Sequence, residues 1–357
     1  MRTTYAFGIA FGLSLIFAPL MRGIARKTKA MCYPNDRSVH QKPIPYLGGV
    51  AIYLASVLTM LVFPPDDSVA LYSVVVGGFI ILVVGLIDDL WDITPLQKLL
   101  GQCVSAGVVI WIGVSISFVT NPFTGAVRLL GFFAIPVTVF WIVSFENLVN
   151  FSDGLDGLAA GVTGITALVM VFAAEKAGAS GITTAAAALA GSVLGFLPFN
   201  FHPASIFMGD AGAMYIGLAL AVLSVQGLAK SAVFMSVMVP ILTLMVPISD
   251  AAFAVVRRKL AGTSVTRADH DHLHHRLLEL GMDQRQAVLV IYAVSLVFGV
   301  LGMISSFVPA AQGAPIAGLA ILGLLVVAQR TGLLTISTDS SKKKSGRQSK
   351  KQETHHG

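Results

Sequence analysis

Charge is what this 357-residue chain has least of. Asp, Glu, Lys and Arg make up only 12% of it, against roughly 25% in soluble domains, while 55% is hydrophobic and the mean hydropathy is +0.80. That shortage excludes a water-soluble fold, which could not cover so much apolar surface. Cysteine is nearly missing as well, with only Cys32 and Cys103. The first is expected in a cytoplasmic loop and the second inside a membrane span, which excludes a disulfide framework and gives redox chemistry no support. Acidic residues are outnumbered, 18 against 24 Lys and Arg, for a formal charge of +6. The basic excess follows membrane topology, so nucleic acid is not expected as a partner.

What is abundant is long apolar runs; a span requires roughly 20 residues, and several runs fall short of that, so the turns must help. Eleven candidate helices follow: Tyr5 to Leu20, Leu47 to Phe63, Leu71 to Ile87, Leu99 to Val119, Leu130 to Phe145, Leu158 to Ala174, Ile182 to Phe199, Ala213 to Leu228, Val233 to Val256, Ala287 to Phe307 and Ile316 to Val327. The expected fold is an all-α polytopic membrane protein. One membrane domain covers residues 1–336, and a Ser- and Lys-rich tail, 337–357, is expected to be disordered. With the amino terminus outside, 20 of the 24 basic residues fall on the cytoplasmic side, and only Arg2, Arg128, Lys176 and Lys230 fall outside. Positive residues stay inside, so this orientation is the expected one, with the carboxyl terminus cytoplasmic. A signal peptide is the competing reading of the first run, but its basic cluster follows the apolar stretch instead of preceding it.

Once the runs are placed, the polar residues gather into four segments on the cytoplasmic side. Asp88 and Asp89 end the third helix. A hydrated helix terminus is the plain reading of such a pair, yet acids are disfavoured at a helix C-terminus by the macrodipole, and acids at a membrane edge are functional candidates. Asn147, Asn150, Asp153 and Asp156 follow the fifth helix, with glycines after both aspartates. The order Asp-x-Asp-x-Asp-Gly with a closing Glu is absent, so a calcium loop fits less well than nucleotide-sugar contact. Asn200 to Asp210 joins the seventh and eighth helices. Asp210 sits between glycines, where it could serve as a helix N-cap or a metal ligand, and Phe207 suits either a core or a base-stacking surface. Finally, His270, His272, His274 and His275 fall within six residues beside Arg276. Zinc is the rival there, but no cysteine or second histidine pair completes a cage, whereas His and Arg bind diphosphate readily. No His-Glu-x-x-His motif occurs, which argues against a zinc protease. The gathering of acids at one face argues against a transporter with a midplane site.

Together, in this order and on one side, these segments resemble the polyprenyl-phosphate N-acetylhexosamine-1-phosphate transferases, the family that includes phospho-N-acetylmuramoyl-pentapeptide transferase. The resemblance implies that Asp88 and Asp89 act on the lipid phosphate as the catalytic pair and that Asp210 holds Mg2+, with Mn2+ able to substitute. It also implies that Asn150, Asp153, Asp156, Asn200, Phe207, His272, His274, His275 and Arg276 contact the donor. The pentapeptide branch resembles Asp-Asp-x-x-Lys and three consecutive His, whereas here Asp92 replaces that Lys and Leu273 interrupts the His run. The loop from Arg37 to Gly49 also resembles the N-acetylglucosamine branch. The expected partners are therefore UDP-N-acetylglucosamine, undecaprenyl phosphate and membrane lipid, with a homodimer as a further possibility. The expected place is the bacterial cytoplasmic membrane, with transfer by direct attack and release of UMP.

Overall fold

The structure is a computed structural model that describes residues 1–33, 43–66, 68–121, 126–230, 235–260 and 273–308, with isolated positions as far as 323. Helix α1 (Arg2–Thr28) leads into a short antiparallel ribbon, β1 (Met31–Cys32) with β2 (Ile44–Pro45), and then α2 (Gly48–Val62). One long span combines α3 (Ser68–Tyr72), a π-helical turn at Ser73–Gly77 and α4 (Gly78–Trp91). After α5 (Pro95–Ile112) comes a hairpin of β3 (Phe118–Thr120) and β4 (Val127–Leu129), registered Phe118 to Leu129. Then follow α6 (Ala134–Ser152), α7 (Leu158–Lys176), α8 (Ser180–Asn200), α9 (Gly209–Lys230), α10 (Met235–Thr243), α11 (Met245–Leu260), α12 (Leu273–Glu279) and α13 (Gln284–Phe307).

Small residues decide how these helices meet. Lipid tails are as apolar as leucine, so helices associate where small side chains let backbones approach. On α1, Ala6, Ala10, Ser14 and Ala18 recur every four residues and are fully buried along α8. A Cβ on Gly191 or Gly195 of α8 would lie 2.3 or 2.4 Å from the Phe7 or Phe11 carbonyl oxygen. Helix α9 runs through the centre, flanked by α4 and α6, and is nearly all enclosed. Gly85 of α4 lies against the backbone of Ala211, and Gly217 of α9 lies against Phe145 and Glu146 of α6. The π turn keeps its carbonyls satisfied: Tyr53 Oη donates to Val75 O at 2.9 Å and Ser105 Oγ to Gly77 O at 3.1 Å.

The all-helical membrane character is as expected, but the count of eleven spans is not reproduced. Among the described residues, eight helices are long and apolar enough to cross a membrane, and α2 is a shorter apolar helix of 15 residues. The run Val233 to Val256, expected as one kinked helix, divides at Leu244 into α10 and α11. Proline withdraws an amide donor from a helix. Pro240 lies inside α10, and Pro247 falls in the first turn of α11, where the missing donor costs nothing. The run expected to reach Val119 stops at Ile112, because Gly113 at φ +127 turns the chain out into the hairpin. The last run, Ile316 to Val327, and the tail lie largely or wholly outside the described residues. Both cysteines are free.

The α6–α9 contact offers a direct test. A methyl on Gly217 would come 2.5 Å from Phe145 O and 2.6 Å from Glu146 Cα, and backbone cannot yield as a side chain does. Overpacking of this kind costs about 1–3 kcal/mol, so Gly217→Ala should lower the melting temperature in detergent. Gly107→Ala, whose methyl meets nothing within 4 Å, should not.

Candidate active site

Four helix ends converge at one edge of the bundle: the C-termini of α4 and α6 and the N-termini of α5 and α9. The first turn of α9 presents amides with no partner inside the helix. Asp89 supplies one. Its Oδ1 accepts from Asp210 N at 2.8 Å and its Oδ2 from Ala211 N at 3.2 Å. Gly209, at φ +72, makes room, since a Cβ there would lie 2.5 Å from Asp89 Oδ2. The sequence alone allowed Asp210 to be the cap of α9. In the structure the capping carboxylate is Asp89, and Asp210 stands in the first helical turn with its own side chain turned to other partners.

Those partners are Lys98 and Asn150. Lys98 Nζ lies 2.9 Å from Asp88 Oδ2 and 3.1 Å from Asn150 Oδ1, and it forms a close ion pair with Asp210 Oδ2. Asn150 Nδ2 donates to Asp210 Oδ1 at 2.8 Å. Asp88 also accepts from Ile93 N at 3.1 Å, which fixes the turn between α4 and α5. The side chains of Asp88 and Lys98 are only 12% and 16% exposed, while Asp210 is 34% exposed, so the cluster opens outward at Asp210. Behind it, Asn147 Nδ2 donates to Gln102 Oε1 at 3.0 Å, and Gln102 reaches Met214 Sδ at 3.5 Å. That relay ties α6, α5 and α9 beneath the charged layer.

Lys98 and Gln102 were not expected as site residues. The signal for Lys98 was present, however. Thr94 and Gln97 form a capping box with Pro95 at the first position of α5, which puts Lys98 in the opening turn of an apolar span, where the dipole disfavours a cation. A lysine held there against the dipole implies an acid opposite. Asp92 stands where the pentapeptide branch resembles a Lys, and the structure brings the ammonium to the acids from ten residues beyond Asp88 instead.

The Asp-Gly turn lies beside this cluster. Asp153 closes α6, with its amide donating to Asn150 O at 3.2 Å. Burial, helped by the nearby Asp210 and Asp156 charges, pushes its carboxyl up to about 7. Asp156 Oδ2 accepts from Ala204 N at 3.0 Å and pairs with His202 Nδ1 at 2.8 Å. Asn200, buried at the end of α8, donates to Ile206 O at 3.2 Å and so closes the loop leading to Asp210. Phe207 is joined through its backbone to the β1–β2 ribbon: its amide donates to Pro45 O at 2.7 Å and its carbonyl accepts from Gly48 N at 3.0 Å. Cys32 and Tyr46 on that ribbon lie near Asp89, and burial together with its charge raises both.

Asp88, Asp89, Asn150, Asp153, Asp156, Asn200, Phe207 and Asp210 are thus brought to one region. His272 and the loop from Arg37 to Lys42 lie outside the described residues, as do the side chains of His274 and His275. Arg276 is on α12, 3.5 Å from Glu279. The different duties of the acidic residues can be measured. Hydrogen bonds to a charged group are worth about 1.5–3 kcal/mol, so Asp89→Asn, which leaves one α9 amide facing an NH2, should lower the melting temperature clearly. Asp92→Asn, at an exposed position, should change it little.

The chain can now be set beside known proteins. Residues 71–228 match the glycosyl transferase family 4 model, a stretch that contains every residue of the charged cluster. A probable undecaprenyl-phosphate N-acetylglucosaminyl 1-phosphate transferase of Bacillus subtilis is 36% identical over 94% of this chain and 93% of its own length. A decaprenyl-phosphate N-acetylglucosaminephosphotransferase of Mycolicibacterium smegmatis is 38% identical over 86% of this chain and 83% of its own. A phospho-N-acetylmuramoyl-pentapeptide-transferase of Clostridium perfringens is 32% identical over 84% and 94%. With such similarity running nearly end to end, and with the acids, amides and lysine assembled at one membrane edge, the chain belongs to the polyprenyl-phosphate N-acetylhexosamine-1-phosphate transferase family.

Proposed function

We propose that this enzyme transfers N-acetylglucosamine 1-phosphate from UDP-N-acetylglucosamine to undecaprenyl phosphate, giving the lipid diphosphate sugar and UMP. The observation that carries the reading is the Asp88–Lys98–Asp210–Asn150 cluster, which sets a cation between carboxylates where the bilayer meets water. The relatives named for N-acetylglucosamine favour that donor.

A phosphate monoester loses its second proton near pH 6, so the acceptor needs no base to become a nucleophile. Its oxygen attacks the phosphorus next to the sugar, and the bond from that phosphorus to the oxygen bridging it to UMP breaks. Positioning and charge neutralisation carry most of such a reaction. Lys98 offers its ammonium to a phosphate entering between Asp88 and Asp210, and the Asp153–Gly157 turn holds the uridine diphosphate end. Direct attack is favoured over an aspartyl-phosphate, because both oxygens of Asp89 are engaged by amides and both of Asp88 by Ile93 and Lys98.

The donor set suits magnesium or manganese, hard ions that accept one or two carboxylates and take their other oxygens from phosphate and water. Asp210 would hold the ion, with Asp88 and the Asn150 carboxamide beside it. When bound, the ion supplies charge neutralisation of the diphosphate.

The orientation we propose has the amino terminus outside, the site facing the cytoplasm, and the protein in a bacterial cytoplasmic membrane. The charge distribution supports it, and the opposite end of the bundle carries the Arg2–Asp66 pair. In a cysteine-free background, Cys placed at exposed Gly154 should react with impermeant reagents only in inverted vesicles. Labelling in intact cells would overturn the orientation. For the chemistry, purified enzyme given several UDP-sugars with undecaprenyl phosphate should make lipid product fastest from UDP-N-acetylglucosamine. Asp210→Asn should reduce turnover at least a hundredfold, and excess EDTA should stop it. Near-normal rates in either case would remove Asp210 as the metal ligand.

A further inference from the structure

The turn that carries Asp153 and Asp156 is not held by its own helices alone. Asp156 directs a single oxygen, Oδ2, at two groups of the 201–204 loop, His202 Nδ1 at 2.8 Å and Ala204 N at 3.0 Å, so neither bond uses Oδ1. The carbonyl of the same His202 accepts from Arg285 Nε at 3.0 Å. Arg285 lies in the first turn of α13, whose start is fixed by a capping box between Asp283 and Gln286. Two turns further along α13, Tyr292 Oη donates to Gly157 O, the residue that ends the turn and opens α7. Gly161 is shaped for this contact, since a Cβ there would stand 1.9 Å from the Tyr292 ring. Helix α13 therefore grips the Asp-Gly turn twice, once through Arg285 and His202 and once through Tyr292.

We propose that His202 is a positioning residue for donor binding, holding Asp156 in the rotamer that leaves Oδ1 for the nucleotide, and that Arg285 and Tyr292 brace it from α13. An aspartate oxygen that fixes one imidazole nitrogen is equally fixed by it, and here the imidazole is anchored in turn through its own carbonyl. The inference rests on the reading of the Asp153–Gly157 turn as the donor site. It adds residues that neither the acidic motifs nor the charged cluster contains. It also separates two kinds of control, since the Lys98 cluster acts on the phosphates in flight while the α13 brace sets how well the donor is held.

The test is steady-state kinetics of the full-length enzyme with UDP-N-acetylglucosamine and undecaprenyl phosphate varied in turn, together with equilibrium binding of UDP. His202→Ala should raise the KM for the donor, and the Kd for UDP, about tenfold, while kcat and the KM for the lipid stay within twofold. His202→Asn, whose amide stands near the place of Nδ1, should recover most of the loss. Tyr292→Phe and Arg285→Ala should shift the donor KM in the same direction by a smaller factor, and they serve if His202→Ala does not fold. In an Asp156→Ala background, His202→Ala should add nothing. If Asp156→Ala raises the donor KM and His202→Ala does not, the positioning role is wrong and the donor site stands. A loss shared equally by kcat and both KM values, with a lower melting temperature, would make the brace merely structural. If Asp156→Ala itself leaves the donor KM unchanged, the reading of the turn as the donor site fails, and the inference with it.

Discussion

A carboxylate at the end of one helix, seated on the leading amides of another, fixes the geometry of the whole membrane edge. Asp89 stands at the C-terminus of α4, where the helix dipole is negative and an acid is unwelcome. The N-terminus of α9 offers the opposite field and two amides that need an acceptor. Joining the two ends cancels both problems at once. Because α9 is the enclosed centre of the bundle, the join also sets where Asp210 stands. There Asp210 is met by Asn150 and Lys98. The approach is possible because Gly85 and Gly49 lie against the backbone of Ala211 and Gly212. A methyl at either glycine would part the helices before their charges could meet.

The two ends of the molecule are built differently. At the site end, charged groups of both signs meet across four helices, only partly sheltered and open at Asp210. At the opposite end, Arg2 Nη2 donates to Pro64 O at 2.9 Å and its other nitrogen pairs with Asp66 at 3.4 Å, while Ser180 donates to Asp66. Lys176 lies 3.8 Å over the Phe307 ring. These contacts tie α1, the α2–α3 connection and α8, and α7 to α13. They gather no second cluster of acids among the described residues.

Much of the arrangement was legible in the sequence because spacing and topology speak directly. Asp88, Asp153 and Asp210 each follow or open an apolar run, and alternating spans must bring such ends to one side. The direction of individual side chains was not legible. Whether Asp89 or Asp210 caps α9 depends on the φ of Gly209 and on how closely α4 approaches, and neither is written locally. Lys98 was counted only as a topological charge, since its acids lie 10 and 112 residues away in the chain. The brace from α13 was invisible for the same reason: Tyr292 reads as one more aromatic in an apolar helix until its hydroxyl is seen on Gly157. The division at Leu244 escaped because proline predicts a disturbance without saying whether the helix bends or ends.

The enclosure of α9 bears on how the protein comes into being. A span that faces lipid is kept in the bilayer by its own grease, but α9 is mostly enclosed by the other helices and carries an aspartate in its first turn. Its side chains are chosen for neighbours: Gly212 and Gly217 for close backbones, Tyr215 for a 2.6 Å hydrogen bond with Ser56. Such a helix is retained by its companions more than by the membrane. Its main companions, α2, α4 and α6, precede it in the chain, and α10, which also packs on it, follows. Synthesis from the amino terminus therefore delivers much of the socket before the helix that fills it, and adds α10 and the α13 contacts with the Asp-Gly turn afterwards.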